Sequence, residues 1–197
     1  LDFVRNNNMA LEENYEYIKT QMDITNYIDA LIVQIYYTQT DQGNIRYWRE
    51  QNPEGKWRWL VYDLDWGFWP GHEQYNTLAS MTNPAGTGAW NNISTVLTVR
   101  LLANEDFRRE FIERFAYHLN HTFTPERVIA RIDELAANIE DEMPRQIERW
   151  GGSMNNWYYH LEVLRDFARL RPAIVVNHLR QKFYLNEQEL QLFEQYL

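Results

Sequence analysis

The sequence predicts a mainly α-helical domain that carries one small β-hairpin. Segments with apolar residues at helical spacing fill most of the chain, and several of them follow a capping residue. One stretch differs, because two aromatic-rich runs, 45–51 and 56–64, flank the turn-forming residues 52–55. The 197 residues are 45% hydrophobic and 24% charged, which is typical of a single domain with a sizeable core.

Two helices are predicted before the hairpin. The first covers residues 9–21. Asp23 is placed to cap the second, in which apolar residues from Ile24 to Ile35 recur at a spacing that gives one wide apolar face. This second helix leads the chain to Asp41.

The hairpin is expected to bring Asp41 near two later aspartates. Pro53 presets the turn and Gly55 allows a positive φ, which predicts a loop over 52–55. The resulting register pairs Gln51 with Lys56, Asn44 with Asp63, and Asp41 with Trp66 beside Asp65. A slip of one or two residues in this register is left open.

Alternation along the second strand then predicts a face that ends in carboxylates. That face consists of Trp57, Trp59, Val61, Asp63 and Asp65, with the two aspartates roughly 7 Å apart. Oxygen ligands suit Mg²⁺, so these carboxylates with Asp41 and Asn44 indicate metal-assisted phosphate chemistry. The alternative is that acidic and amide residues only cap backbone groups at strand ends. The apolar run 59–62 that leads into Asp63 favours the metal site.

The rest of the chain is predicted as a long loop followed by helices. The loop covers 69–92, and its His72 and Glu73 are expected to be a solvated pair rather than metal ligands. The helices cover 93–103, 105–120 after the cap Asn104, a segment from Pro125 after the cap Thr124 that breaks at Pro144 and ends at Gly151, then 157–170, 172–184, and a short one after Asn186.

Charge and composition exclude several classes of function. The formal net charge of −9 argues against nucleic acid or an anionic membrane surface as the main partner, and basic protein substrates fit it better. The absence of cysteine excludes disulfide scaffolds and cysteine-ligated zinc sites.

A set of motifs carries a family resemblance over most of the chain. In order, the motifs are Asn14–Tyr17, Tyr36–Asp41, Asn44–Arg49, Gly55–Trp59, Tyr62–Asp65, Thr124–Ile129 and Val163–Ala168. In this order they resemble the CotH kinase family, whose members are atypical protein kinases. The resemblance implies the large lobe of a kinase-like fold over 1–197, the use of ATP with Mg²⁺ or Mn²⁺, and a protein substrate phosphorylated on serine or threonine.

The resemblance also implies roles for single residues. Asp41 would be the catalytic-loop aspartate that orients or deprotonates the acceptor hydroxyl, and Asn44 the metal-binding asparagine of that loop. Asp63 and Asp65 stand where kinases place their metal-binding aspartate, and the choice between them is open. Asp63 is also counted among the catalytic residues.

Two departures from the kinase pattern define the alternatives. No lysine lies in an apolar strand before Asp41 and no glycine-rich loop precedes a helix, so the small lobe is expected to lie outside this chain, which alone would be inactive. Asp41 and Asn44 are three residues apart, whereas the kinase pattern has five. The second hypothesis is therefore a catalytically degenerate binding or adhesion module at a cell surface or spore coat. A third is transfer of another part of the nucleotide.

Overall fold

The computed structural model describes residues 1–39, 41, 45–88 and 94–197. Its elements in chain order are α1 (Asp2–Asn6), α2 (Glu12–Gln21), α3 (Ile24–Tyr37), β1 (Arg46–Trp48), β2 (Arg58–Leu60), α4 (Thr77–Met81), α5 (Val96–Leu101), α6 (Glu105–His121), α7 (Pro125–Ala137), α8 (Met143–Trp150), α9 (Met154–Phe183) and α10 (Glu187–Gln191). Single 3₁₀ turns lie at His72–Gln74, Glu140–Glu142 and Glu194–Tyr196. The predicted architecture, mainly α with one antiparallel hairpin, is confirmed.

Helix α3 forms the centre of the core. Its residues Ile28, Ile32 and Ile35 are fully buried, and the helix packs against α4, α6, α9 and β2. Aromatic residues of α6 fill the space beside it, among them Phe107 and Phe111. Because α3 is enclosed on several sides, its C-terminal end is held at a fixed place in the domain.

Four predicted helix starts are confirmed by their capping hydrogen bonds. The side chains of the four caps each accept from a backbone N–H in the first turn of the helix that follows: Asp23, Asn104, Thr124 and Asn186. At the last of these, the Glu189 carboxylate also accepts from the backbone N–H of Asn186, which completes a capping box.

Helices α7, α8 and the first half of α9 form an arm with few buried residues. Helix α7 packs along α9, and Ala136 is its one buried residue. The predicted break is confirmed, because α7 ends at Ala137 and Pro144 lies in the first turn of α8. The predicted end of this segment is also confirmed, since Gly151 and Gly152 both have positive φ.

The prediction of separate helices over 157–170 and 172–184 is wrong, because α9 continues through Pro172. A proline inside a helix removes one backbone hydrogen bond. Here Pro172 and its neighbour Arg171 are both buried, and Arg171 donates to two carbonyls of α3. Tertiary packing and the hydrogen bonds of Arg171 therefore hold the helix together across the proline.

The hairpin is confirmed, but it is shorter than predicted and its register differs by one residue. Trp48 pairs with Arg58 and Arg46 with Leu60, so the connecting loop covers 49–57. Trp57 does not pair with β1, since its backbone N–H donates to Gln21 and its carbonyl accepts from Asp23. The linker between α2 and α3 thus pairs with Trp57, where the predicted register had placed the first strand.

Strand β2 is fixed to the start of α3 by side chains. The Asn26 amide accepts from the backbone N–H of Trp59 at 2.6 Å and donates to its carbonyl oxygen at 3.2 Å. Arg58 pairs with Asp23 at 3.1 Å, and the Trp59 ring packs on Tyr27. The Asn26 amide thus satisfies both backbone groups of Trp59, as a neighbouring strand would. This contact fixes the position of β2 and of the chain that leaves it.

Candidate functional site

Two segments form the candidate site, the end of α3 with Asp41 and the chain that follows β2. Helix α3 ends at Tyr37, and its C-cap residue Thr38 has a left-handed conformation with φ of 55°. Thr38 and Gln39 are both buried, although both are polar. This buried end delivers the chain to Asp41, which is exposed.

The second segment lies directly against the first. The Gln39 side chain donates from Nε2 to the backbone carbonyl of Asp63, and the backbone N–H of Phe68 donates to the carbonyl of Tyr37 at 3.2 Å. Gly67 lies so close to this carbonyl that an added Cβ would be 2.7 Å from it. The segments that carry Asp41 and Asp63 therefore meet at the end of α3.

The carbonyls at the end of α3 are satisfied by the two site segments and by Arg171 of α9. The last four carbonyls of a helix have no partner within it. In α3, the Gln34 carbonyl accepts from the backbone N–H of Gln39, and the Tyr37 carbonyl accepts from that of Phe68. The carbonyls of Ile35 and Tyr36 both accept from the Arg171 side chain. Capping this helix and assembling the site thus use the same contacts.

The predicted alternation does not extend to the carboxylates. Strand β2 ends at Leu60, and Val61 is 54% exposed, whereas Trp57 and Trp59 pack against the core. The run 59–62 is therefore not a buried strand. Asp63 has a φ of 56°, which is not a strand conformation. Strand alternation therefore does not place the Asp63 and Asp65 side chains on one face.

Asp41, Asp63 and Asp65 are all exposed. Asn44, the fourth predicted residue, lies outside the described residues. Over the described part of the chain, no three His, Cys, Asp or Glu side chains are grouped to hold a metal ion. Mg²⁺ in nucleotide enzymes is commonly held by only one or two carboxylates together with phosphates and water, so the donor types at this site suit such an ion.

Arg171 is a residue of this region that sequence reasoning missed. Its guanidinium is fully buried, and burial lowers its pKa to about 10. It donates to Ile35 at 2.6 Å and Tyr36 at 3.0 Å, and also to the carbonyls of Glu73 and Tyr75. The only signal in the sequence is a charged residue beside a proline within an otherwise apolar stretch.

The pair His72 and Glu73 is less solvated than predicted. Both residues are half-buried, and the His72 ring stacks on Tyr75 with centroids 4.2 Å apart. Burial lowers the pKa of His72. The pair contributes to packing of the loop after Asp65, and the predicted unstructured stretch 69–92 includes the helix α4.

Several aromatic and aliphatic side chains of the hairpin and of the chain that follows it are exposed. Roughly half or more of the surface is exposed for Tyr47, Val61, Tyr62, Trp66 and Trp69. Trp66 and Trp69 contact each other with ring centroids 5.8 Å apart. An exposed pair of tryptophan side chains in contact, such as Trp66 and Trp69, is typical of a surface that contacts another molecule.

A cleft lies elsewhere, between the hairpin loop and helices α2 and α6. Its volume is about 820 Å³, and charged side chains such as Lys56, Arg58 and Glu110 line it. Asp41, Asp63 and Asp65 do not contribute to this lining. The cleft is therefore separate from the candidate site.

Comparison with known proteins places the chain in a family. None of the helices in the described ranges is both long enough and apolar enough to cross a membrane. No curated protein and no solved structure matches the chain, so the likeness to the large lobe of a kinase stays a prediction. The family model described as CotH kinase protein matches residues 1–175. This match covers most of the 197 residues, and the chain belongs to the CotH kinase family.

Proposed function

We propose that this chain carries the catalytic residues of an ATP-dependent protein kinase that phosphorylates serine or threonine. The observation that carries the proposal is the contact between the two segments at the end of α3, where Gln39 binds the backbone of Asp63. Asp41 follows Gln39 by two residues, so its Cα is within about 7 Å of that of Gln39. Membership of the CotH kinase family supports nucleotide use by this site.

Asp41 acts on the acceptor hydroxyl in this proposal. Its carboxylate accepts the proton as the hydroxyl oxygen forms a bond to the γ-phosphorus, and the bond from that phosphorus to the β,γ-bridging oxygen breaks to release ADP. Its exposure leaves it accessible to a protein side chain. A positioned base of this kind contributes about 10²- to 10⁴-fold to a rate.

Asn44 and either Asp63 or Asp65 are assigned to Mg²⁺ or Mn²⁺. The ion supplies charge neutralisation for the phosphates when nucleotide is bound. Asp63 and Asp65 lie on the segment that is anchored to the end of α3 through Gln39 and Phe68, so their backbone is held close to Gln39, two residues before Asp41. A fixed backbone suits a site that works mainly by positioning.

The test is transfer of labelled γ-phosphate from ATP by the full-length protein with Mg²⁺ or Mn²⁺. D41N should reduce transfer at least about 100-fold while metal-dependent nucleotide binding persists. D63N keeps the left-handed backbone that asparagine tolerates, so its effect reports on the carboxylate alone. Whichever of D63N and D65N abolishes metal-dependent binding identifies the metal ligand.

D141N is the matched control, because Asp141 is exposed in the 3₁₀ turn between α7 and α8, outside both site segments. The mass of the product separates phosphate transfer from transfer of another part of the nucleotide. Absence of both transfer and metal-dependent nucleotide binding in the unsubstituted protein would overturn the kinase proposal.

The second candidate function is a degenerate binding or adhesion module, and the exposed pair Trp66 and Trp69 favours it. The two rings contact each other, and Trp66 directly follows Asp65 in the chain. A binding module needs this pair but not the carboxylates. Partner binding that survives D41N and D63N but is lost on W66A together with W69A, in a protein without transfer activity, would support this candidate.

A further inference from the structure

Arg171 connects the two segments of the candidate site to a third element, helix α9. Its Nε and Nη2 donate to the end of α3, at Tyr36 and Ile35. Its Nη1 donates to Glu73 at 2.6 Å and to Tyr75 at 2.9 Å. All four acceptors are main-chain carbonyls, so the guanidinium fixes backbone positions.

Phe167 reinforces this connection from the preceding turn of α9. It lies four residues before Arg171, on the same face of the helix. Its ring stacks on Phe68 with centroids 4.1 Å apart and contacts Tyr36 edge to face. Helix α9 therefore holds the chain after Asp65 at two points, Phe68 and the turn at 73–75, and holds the end of α3 at the same time.

Burying an arginine in this way costs free energy unless its donors are satisfied, and a well-packed apolar residue could often replace a buried charge without loss of stability. A guanidinium offers five donors in a rigid plane, which allows one side chain to join separate segments. The gain from Arg171 is therefore geometric. Its four hydrogen bonds set the distance between the end of α3 and the turn at 73–75.

We infer that Arg171 is a positioning residue for phosphoryl transfer, which sets the separation of Asp41 from Asp63 and Asp65. The inference rests on the proposed kinase function. Misplacement of a catalytic group by about 1 Å reduces rate about 100-fold while leaving much of the binding energy in place. Loss of Arg171 should thus affect turnover more than nucleotide affinity.

The test uses R171M and R171K in the full-length protein, with two controls on α9. R169M replaces an exposed arginine of the same helix that pairs only with surface carboxylates. L179A removes core packing from a fully buried position that contacts neither site segment through hydrogen bonds. L179A should lower the melting temperature, as R171M does, but it keeps the four hydrogen bonds of Arg171 to main-chain carbonyls.

R171M should lower kcat about 100-fold and change the KM for ATP by less than about threefold. R171K should recover part of kcat, because an ammonium group reaches some of the carbonyls but cannot satisfy all four. R169M should match the unsubstituted protein, and L179A should retain kcat at a temperature where it is folded. Equal kcat in R171M and L179A would overturn the inference.

Hydrogen exchange separates this inference from the proposed function. R171M should increase amide exchange in 34–39 and 61–76 while the amides of α6 keep their protection, whereas L179A should not show this selectivity. If the unsubstituted protein transfers no phosphate, the kinase proposal fails and the exchange pattern still decides whether Arg171 holds the segments together. If R171M does not fold, the same comparison is made with R171K, and unchanged exchange in both segments would overturn the inference.

Discussion

The side-chain amide of Gln39 donates a hydrogen bond to the backbone carbonyl of Asp63, across the point where α3 ends and the chain after β2 returns. Gln39 is 2% exposed, so its side-chain amide loses its contact with water on folding and makes this hydrogen bond instead. Asp63 has a φ of 56°, a conformation that non-glycine residues adopt at some cost. The hydrogen bond therefore helps to hold a strained residue in place.

The first prediction concerns this contact. Q39A should lower the free energy of unfolding by about 1 kcal/mol, because a partly buried hydrogen bond is lost, and it should reduce phosphate transfer. Q34A is the control, since the Gln34 side-chain oxygen is buried without a hydrogen-bond partner among the described residues. Denaturant titration measures both variants. An effect of Q39A no larger than that of Q34A would contradict the role assigned to the Gln39 amide.

The second prediction concerns the close approach of Gly67 to α3. G67A places a Cβ 2.7 Å from the Tyr37 carbonyl oxygen and 3.2 Å from that of Leu64, both of which are backbone atoms. We expect a loss of about 1–3 kcal/mol and displacement of the Asp65 segment, because neither backbone oxygen can rotate away.

Gly71 provides the comparison for Gly67. Nothing lies within 4 Å of a Cβ added there, and its φ of 80° gives only conformational strain. G71A should therefore cost about 1 kcal/mol and leave phosphate transfer unchanged. Thermal unfolding and transfer assays of both variants test the difference, and similar losses of transfer would show that steric contact at Gly67 is unimportant.

The sequence predicts the helices well because their boundary signals are local. Asp23 and Asn104 cap helices whose first turns lie within a few residues of them, so neighbouring residues alone determine the start. The hairpin register and the continuity at Pro172 depend on distant partners. Trp57 is bound by the linker before α3, and Pro172 is buried next to Arg171, which donates to carbonyls of α3, so no local pattern reports either feature.

The candidate site is predictable to a lesser degree. The sequence predicts that Asp41 lies near Asp63, and the contacts of Gln39 and Phe68 bring the two segments together, although the roles of the carboxylates stay predictions. Arg171 is more than a hundred residues from both carbonyls of α3 that it binds, as its separations of 135 and 136 residues show. A contact at that distance leaves no periodic signal in the sequence.

The third prediction concerns Asp29, which joins α3 to α6. Arg114 donates to both carboxylate oxygens, at 2.8 and 2.6 Å, and His118 lies 2.9 Å from one of them. Burial alone would raise the pKa of Asp29, but the hydrogen bonds from Arg114 and His118 outweigh it and lower the pKa below 3.8. A lowered pKa means that the ionised form is stabilised by folding.

The contribution of Asp29 is therefore present above pH 3.8 and is lost as the pH falls towards the folded-state pKa. D29N should cost about 1 kcal/mol at neutral pH, a modest value because the side chain is 32% exposed. The difference between D29N and the unsubstituted protein should shrink below pH 3.8. D106N, at a surface pair, is the control, and a pH-independent difference for D29N would contradict the ionic role.

The fourth prediction concerns His178, seven residues after Arg171 on α9. Burial and the charge of Arg171 lower its pKa from 6.5 to about 4, so the folded protein holds this histidine neutral. The unfolded chain binds the proton first, and stability should fall by on the order of 2 kcal/mol as the pH decreases from 6.5 to about 4. H178F should weaken this acid dependence, whereas H121F, at an exposed histidine, should keep it.

R171M should raise the pKa of His178, because it removes a positive charge, and NMR titration of the imidazole measures that pKa directly. An unchanged titration in R171M would show that the charge of Arg171 does not reach His178, and that burial alone lowers the pKa.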